Sequence, residues 1–167
     1  MLFKFKVWTI LWFATALQLT AQQFHTEPGQ QFITFEKTDI DGNYRSTHSL
    51  KGKPSLIIFF GTRCPPCMME LKELSESLPS SWHSKVNLIA IGSTDDKESL
   101  IKFKTRTGYP FTFIPDQNQF LFNQIGDYVI PRTFLLDEDG VILSQKVGYD
   151  LYHVDELLAE IGGLVSN

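Results

Sequence analysis

The chain has 167 residues, a length that fits one ordinary domain and a short terminal segment. Hydrophobic residues make up 43% of the chain and charged residues 20%, which is typical of a globular protein and argues against extended disorder. With a net charge of −4 and only 15 Lys and Arg residues, a nucleic-acid-binding groove is disfavoured. Two cysteines are too few for a disulfide-rich miniprotein, so their spacing carries the chemical information instead.

The start of the chain has the features of a secretory signal. Two lysines form a positive start, and the mostly apolar stretch Val7–Leu19 follows. At about 13 residues this stretch is too short to span a bilayer comfortably, which takes roughly 20. Small residues follow, so cleavage after Ala16 or Ala21 is expected. We predict that residues 1–21 are a cleaved leader for export, with a retained membrane anchor as the alternative, and that residues 22–167 form one domain.

A β-hairpin pattern opens this domain. Residues 31–37 alternate apolar and polar side chains, and the Asp-Gly-Asn sequence at 41–43 is typical of a turn. A second short strand from Tyr44 completes a hairpin at about residues 31–47. Its expected role is to cap an edge of the sheet.

Buried strands and amphipathic helices alternate through the rest of the chain. Continuous apolar runs predict strands buried on both faces, and apolar residues at helical spacing predict helices. In chain order these are strand 55–60, a helix from Pro65 that ends by Pro79, strand 86–91, helix 95–104, strand 133–136, strand 141–147 and helix 151–161, which Gly162-Gly163 should end. This order predicts an α/β fold in three layers, with a mixed β-sheet flanked by helices.

Both cysteines lie in one motif, Cys64-Pro65-Pro66-Cys67, between a predicted buried strand and a predicted helix. The first turn of a helix has free N–H groups and a partial positive charge, which stabilise a thiolate. The thiolate is the nucleophilic form of cysteine. Because the two thiols are one helical turn apart, they are within disulfide reach, and prolines suit the helix start. We predict a pair that cycles between dithiol and disulfide, without an organic cofactor or a metal.

Three other uses of such a motif compete with this one. Structural zinc needs four ligands, but there is no second cysteine pair and the histidines are scattered. A purely structural disulfide is disfavoured because so short a loop constrains the unfolded chain weakly. Thiolates suit Cu(I), yet no histidine lies at ligand spacing. The strand before the motif, the helix after it and the leader together favour redox chemistry.

Two segments resemble the TlpA-like branch of the thioredoxin superfamily. Residues 59–71, FFGTRCPPCMMEL, resemble its active-site segment, and residues 130–140, IPRTFLLDEDG, resemble the loop, strand and turn ahead of its last hairpin. The resemblance runs from about Phe32 to Leu164. It implies a thioredoxin-like three-layer sandwich and an exported bacterial thiol–disulfide oxidoreductase, periplasmic or otherwise extracytoplasmic. This branch includes the reductants used in cytochrome c maturation.

The resemblance also implies roles for individual residues. Cys64 matches the exposed attacking cysteine of the family, and Cys67 matches its more buried resolving cysteine. Pro131 matches a cis-proline that faces the disulfide and exposes the Ile130 backbone to substrate. Glu70 matches an acidic active-site residue; if partly buried, it would have a raised pKa and exchange a proton with Cys67. The competing explanation for Glu70 is the preference for acidic residues near a helix start.

Two arginines depart from the family pattern. Arg63 replaces the usual tryptophan before the first cysteine, and Arg132 replaces a small hydroxyl residue after the proline. A cation beside Cys64 would favour its thiolate and steer acidic partners, although a solvated surface arginine is equally compatible with the sequence. We hypothesise that both arginines frame the site with positive charge. The full set of predicted substrate-contacting residues is Arg63, Pro65, Pro66, Ile130, Pro131 and Arg132.

The predicted function is an exported enzyme that reduces disulfides in extracytoplasmic proteins. A membrane thiol reductase is the expected electron donor, because an oxidising compartment would otherwise keep the pair oxidised. The alternatives are a disulfide donor, a non-catalytic thioredoxin-like module that binds a partner or Cu(I) through the thiols, and a peroxide-reducing enzyme. For the last of these, a fitting proline ahead of Thr62 is missing. We expect no nucleic-acid partner.

Overall fold

The structure, a computed structural model, describes residues 27–126 and 128–166. The predicted leader, residues 1–21, lies outside them. The described residues form a five-stranded sheet, a two-stranded hairpin and three α-helices. In chain order the elements are β1 Glu36–Thr38, β2 Tyr44–Ser46, β3 Ser55–Phe60, α1 Pro65–Ser77, β4 Asn87–Gly92, α2 Lys97–Thr107, β5 Thr112–Pro115, β6 Arg132–Leu136, β7 Ile142–Val147 and α3 Leu151–Val165, with 3₁₀ turns at Thr47–Leu50, Ser80–Trp82 and Phe122–Gln124.

The large sheet is mixed, as predicted, with the strand order β5-β4-β3-β6-β7. Strands β3, β4 and β5 are parallel, whereas β6 runs antiparallel to β3, and β7 antiparallel to β6. The carboxyl ends of parallel strands meet at one edge of a sheet, where ligands bind in open α/β folds. The loops that follow β3 and β4 therefore lie side by side at that edge, and the cysteine motif is in the first of them.

The sheet separates two apolar clusters, because successive strand residues point to opposite faces. On one face, Leu56, Ile58 and Phe60 of β3 pack with side chains from all three α-helices. On the other face, Ile57 and Phe59 pack with the N-terminal segment and with residues 121–125 around a 3₁₀ turn. The three α-helices thus share one face, whereas the three-layer prediction placed helices on both; the N-terminal segment and a 3₁₀ turn cover the other face.

The N-terminal hairpin is present but shorter than its sequence pattern. Its strands pair antiparallel over three residues each, from Glu36 opposite Ser46. Asp39 fixes the turn: its carboxylate accepts the Nε–H of Arg45 at 2.8 Å and the N–H of Asn43 at 2.8 Å. Although burial opposes ionisation of Asp39, these hydrogen bonds leave its pKa below the ordinary value. The turn reaches the sheet edge, where the N–H of Ile40 donates to a carbonyl of β5.

The residues before the hairpin pair with the far end of the chain. Gln31 forms an isolated antiparallel bridge with Val141. The N–H of Phe32 donates to the carbonyl of Gly140 at 3.0 Å, and the N–H of Ile142 donates to the carbonyl of Gln30 at 2.9 Å. The start of the domain is therefore held by the β6–β7 turn.

Two elements differ from the sequence prediction. Strand β5 was not predicted, because two prolines bracket its short apolar run. Helix α3 was predicted to stop at Gly162-Gly163 but continues through both glycines to Val165. A methyl group on Gly162 would lie 3.3 Å from the ring of Trp82, so the glycine accommodates that indole beside the helix rather than ending it.

Residues at the start of α3 also differ from the predicted apolar face. Leu151, an apolar residue that opens the predicted amphipathic helix, is 66% exposed, because the buried face begins only at Val154. Within the described ranges no helix has the length and apolar character needed to cross a membrane.

Candidate active site

The two cysteines lie at the start of α1 and are joined by a disulfide. The Cα atoms of Cys64 and Cys67 are 5.3 Å apart and the sulfurs 2.09 Å apart, as the motif predicts. Cys64 is the N-cap of the helix, and its Sγ accepts the N–H of Cys67 at 3.3 Å. Pro65 and Pro66 fill the first helical positions, where a missing N–H donor costs little. The helix start thus places the N–H of Cys67 at the sulfur of Cys64, while the two prolines contribute no N–H.

The two sulfurs differ in accessibility. Cys64 is half-buried at the surface, whereas Cys67 is fully buried in the apolar cluster on the helix face. The flanking residues Arg63, Pro65 and Pro66 are exposed. An external thiol or disulfide therefore reaches this pair through Cys64.

The loop before β6 faces Cys64. The peptide bond between Ile130 and Pro131 is cis, as the family resemblance implies. The carbonyl oxygen of Ile130 lies 4.0 Å from the Sγ of Cys64. Ile130 is half-buried and Pro131 is buried. A Cβ at Gly61 would lie 3.4 Å from the Ile130 side chain, an ordinary contact distance, so the loop after β3 passes directly beside the loop that holds the cis-proline.

The two arginines that were predicted to frame the site differ in their exposure. Arg63 is exposed beside Cys64, but Arg132 is only 4% exposed. The Nη2 of Arg132 donates to Gln145 at 2.7 Å, and its guanidinium lies 5.6 Å from the ring centroid of Phe134. Because Arg132 alternates with Thr133 along β6, it points to the sheet face opposite the helices. Its charge is engaged in the interior and is not displayed beside Arg63.

Glu70 lies one helical turn after Cys67 and is 1% exposed. Its Oε1 accepts a hydrogen bond from the Thr133 hydroxyl at 2.5 Å, and its Oε2 has no hydrogen-bond partner among the described residues. Burial raises the pKa of Glu70 to about 7; the hydrogen bond from Thr133 lowers it, and the nearby charge of Glu73 raises it. A carboxyl group in this state exchanges a proton near neutral pH.

Two contacts at the site were not predicted from the sequence. Thr133 lies two residues after Pro131, and strand alternation would have placed it on the helix side. The second is Asp95, which is 7% exposed and accepts the N–H of Thr62 at 2.9 Å and its hydroxyl at 2.6 Å. Asp95 and Thr62 follow the parallel strands β4 and β3, so the strand order was the signal that would have joined them.

No cluster that suits a metal ion is present in the described parts of the chain, where no group of three or more His, Cys, Asp or Glu residues lies close enough together to bind one. The polar groups beside the disulfide are the N–H of Cys67, which donates to the Sγ of Cys64, and the buried carboxyl group of Glu70, one helical turn after Cys67.

A disulfide at a helix start, following the central strand of a mixed sheet and facing a cis-proline, defines the thioredoxin-like thiol–disulfide oxidoreductases. The chain belongs to the AhpC/TSA family, whose sequence model matches residues 28–145. It is similar to thiol-disulfide oxidoreductase ResA of Bacillus thuringiensis, with 29% identity over 120 residues, which are 72% of this chain and 69% of that protein.

Solved structures share the fold. A candidate protein disulfide isomerase from Bacteroides thetaiotaomicron superposes with a TM-score of 0.78 at 22% identity, covering 85% of this chain and 92% of that one. A secreted disulfide oxidoreductase of Mycobacterium tuberculosis, homologous to Escherichia coli DsbE, has a TM-score of 0.63 at 22% identity, covering 78% and 96%. The thioredoxin-like fold is therefore confirmed, and with the ResA relative it assigns the chain to the thiol–disulfide oxidoreductases.

Proposed function

We propose that this chain is an exported reductant that transfers two electrons from its Cys64–Cys67 dithiol to disulfides of extracytoplasmic proteins. The observation that carries the proposal is the unequal exposure of the two sulfurs at one helix start. Only Cys64 is open to a partner, while Cys67 is buried next to a carboxyl group that titrates near neutral pH. This division matches the two consecutive thiol reactions that disulfide reduction requires.

The first reaction uses Cys64. In the reduced protein the N–H of Cys67 and the positive end of the α1 dipole stabilise its thiolate. The thiolate attacks one sulfur of the partner disulfide, so a bond from Cys64 to the partner forms and the second partner sulfur leaves as a thiolate. The carbonyl of Ile130, 4.0 Å from Sγ, is in place to accept a backbone N–H of the partner segment that carries the disulfide.

The second reaction uses Cys67. Its thiol transfers a proton to Glu70, three residues later on the same helix face. The resulting thiolate attacks the Sγ of Cys64, which forms the intramolecular disulfide and releases the partner sulfur as a thiolate. Atoms and charges balance, with the enzyme oxidised by two electrons and the partner reduced by two. The exposed residues Arg63, Pro65 and Pro66 border the surface on which the partner would lie.

The cellular setting is part of the proposal. The leader-like residues 1–21 support export, and one solved structure of the same fold is of a secreted protein. In an oxidising compartment the dithiol has to be regenerated, for which a membrane thiol reductase is the expected donor. We assign the protein to periplasmic or other extracytoplasmic disulfide reduction in bacteria, with cytochrome c maturation as the candidate process.

Trapping the mixed disulfide tests the assignment of roles. Reduced Cys67→Ser should form a stable adduct with insulin whose disulfides are intact or with another disulfide protein, seen as a mass increase that dithiothreitol removes. Cys64→Ser is the matched control and should form far less adduct, because its remaining thiol is buried. If neither variant forms an adduct and the wild-type protein reduces no disulfide, the catalytic proposal is wrong and a binding module takes its place.

A further inference from the structure

Thr133 connects the cis-proline loop to Glu70. It is the second residue of β6, two positions after Pro131, and it pairs in register with Ile58 of the central strand. Strand alternation directs it to the helix side of the sheet, where it is fully buried. There its hydroxyl donates to the Oε1 of Glu70 at 2.5 Å. The strand that begins at the partner-facing loop therefore reaches the buried carboxyl group through one side chain.

The hydroxyl of Thr133 is the one hydrogen-bond donor to the Glu70 carboxyl group among the described residues. The Oε2 of Glu70 is buried without a hydrogen-bond partner in the described part of the chain. On its own helix, Glu73 accepts the hydroxyl of Tyr149 at 2.8 Å, so that carboxylate is engaged from the segment before α3. On β7, Lys146 lies opposite Thr133 in register, but its ammonium group contacts two glutamates of α3. The charge that acts on Glu70 is thus the negative charge of Glu73.

We propose that Thr133 is a positioning residue that ties one oxygen of Glu70 to β6 and leaves the other, Oε2, free to take the proton of Cys67. The inference rests on the proposed function and adds the residue that prepares its base. A threonine hydroxyl has a single hydrogen, and here that hydrogen is committed to Oε1. The proton that leaves Cys67 can therefore bind to Oε2 of Glu70, the oxygen that Thr133 does not occupy. The same hydrogen bond favours the ionised carboxylate, which is the form that acts as a base.

The step that depends on Thr133 is the resolution of the mixed disulfide. The Cys67 proton moves to Oε2 of Glu70, the Cys67 thiolate attacks Cys64 Sγ, and the partner sulfur leaves as a thiolate. Without the hydroxyl, a larger fraction of Glu70 stays protonated at a given pH. A hydrogen bond to a charged group shifts an ionisation equilibrium about tenfold, so the ionised fraction at pH 7 falls from about one half to about one tenth. Resolution at pH 7 then slows about fivefold.

The experiment follows resolution directly over a range of pH. Reduced protein is mixed with one equivalent of Ellman's reagent, which puts a thionitrobenzoate on Cys64 and releases one thionitrobenzoate anion. The second anion is released when Cys67 resolves the adduct, and its rate is recorded from pH 5 to pH 9. Thr133→Val removes the hydroxyl, and Thr133→Ser keeps it. Thr107→Val is the matched control, because its hydroxyl bonds a backbone carbonyl at the end of α2.

The expected result is a rate profile displaced to higher pH in Thr133→Val, with about fivefold slower release at pH 7. Thr133→Ser and Thr107→Val should follow the wild type. In a Glu70→Gln background, Thr133→Val should add no further change, because the two residues act as one unit. The proposal is overturned if Thr133→Val coincides with the wild type, or if the displacement persists without Glu70.

Two further arms keep the test decisive. If Thr133→Val does not fold, Thr133→Ala is compared with Thr133→Ser instead. Alanine also lacks the hydroxyl, and it places no methyl group where the hydroxyl was. Failure of the proposed function is distinguishable from failure of this inference. If the proposed function is wrong, the wild-type protein releases no second anion. If only the inference is wrong, the wild-type protein releases the second anion, but replacing Thr133 does not alter the pH profile of the release.

Discussion

At the residue scale, the burial of Glu70 links the site to the stability of the whole domain. In the unfolded chain this group ionises near its ordinary pKa of 4.5, whereas in the folded protein its pKa is about 7. Between these two values the folded state binds more protons than the unfolded state, so stability falls as the pH rises and levels off above the folded pKa. The stabilising proton is fully present below about pH 4.5.

Glu70→Gln should remove this dependence. The free energy of unfolding of the wild-type protein should fall by about 3 kcal/mol between pH 4.5 and pH 8 relative to that of the variant. Urea unfolding of the oxidised proteins at several pH values measures the difference. Glu76→Gln, at an exposed glutamate of the same helix, is the control and should retain the wild-type slope. Parallel pH profiles for wild type and Glu70→Gln would contradict the burial argument.

The two arginines should respond in opposite ways. Arg63→Gln removes an exposed cation beside Cys64 and should slow alkylation of its thiolate about twofold at neutral pH, with little change in stability. Arg132→Gln removes a buried guanidinium and its part-buried hydrogen bond to Gln145, and should lower the free energy of unfolding by about 1–3 kcal/mol. Iodoacetamide rates in a Cys67→Ser background and urea unfolding separate the effects. If Arg132→Gln slows alkylation more than Arg63→Gln does, both arginines act on the site as first hypothesised.

At the scale of elements, two loops at the ends of β3 and β4 are tied together by Asp95 and Thr62. A Cβ at Gly92 would approach Asp95 Cβ to 3.0 Å and a Leu100 methyl group to 2.9 Å, so the turn after β4 needs glycine to bring Asp95 into place. The carboxylate then holds the residue two positions before Cys64 through its N–H and its hydroxyl. The position of Cys64 consequently depends on a strand that carries no cysteine.

Asp95→Ala should change the reactivity of Cys64. The loss of two hydrogen bonds to a charged group should cost about 2–4 kcal/mol of stability and alter the rate at which Cys64 reacts with Ellman's reagent. Its neighbour Asp96 provides the matched control, because Asp96 caps α2 through the N–H of Ser99. Asp96→Ala should cost about 1 kcal/mol and leave the Cys64 rate unchanged. Equal Cys64 rates in both variants would remove the proposed link between the loops.

The two glycines of α3 offer an internal comparison. Alanine is favoured over glycine in a helix by about 0.8–1 kcal/mol, and a Cβ at Gly163 meets nothing within 4 Å. Gly163→Ala should therefore stabilise the protein by about that amount. Gly162→Ala should gain less or destabilise, because Trp82 has to move. Thermal unfolding measures both, and the fluorescence of Trp82, the only tryptophan after residue 21, should change in Gly162→Ala alone. An equal gain from both would show that the indole is free to shift.

Those parts of the architecture that depend on a local sequence pattern could be predicted from the sequence. The buried run of β3, the amphipathic α1 and the cysteine spacing each lie within a short window, so periodicity and helix-start chemistry predicted them. The contact between Thr133 and Glu70 joins residues 63 positions apart, and that between Thr62 and Asp95 joins residues 33 apart. Both depend on strand order and register, which no local pattern contains. Arg132 was missed for a different reason: the predicted strand began at Thr133, whereas β6 begins at Arg132, so strand alternation was not applied to this arginine.

At the scale of the whole molecule, the direction of electron flow is the property to measure. A reductant should have a Cys64–Cys67 potential near that of thioredoxin, about −270 mV or lower, whereas a disulfide donor would lie nearer about −120 mV. Equilibration with thiol buffers, followed by mass tagging of free thiols, gives the value without relying on Trp82. A potential near −120 mV would leave the assignment of the site residues unchanged and reverse the proposed direction of electron flow. A pair that does not titrate reversibly would exclude both.

The pairing of residues 30–32 with residues 140–142 sets the order in which this domain can be completed. A chain that emerges amino end first has its opening segment available more than 100 residues before that segment's partner exists, and β3 likewise waits for β6. Contacts so distant in sequence form late and slowly. For most of its synthesis the chain consequently lacks the last strands and the helix α3, which complete the apolar cluster around Cys67. We therefore expect Cys67 to be most open to oxidants before β6, β7 and α3 have been made, and fully buried only in the finished protein.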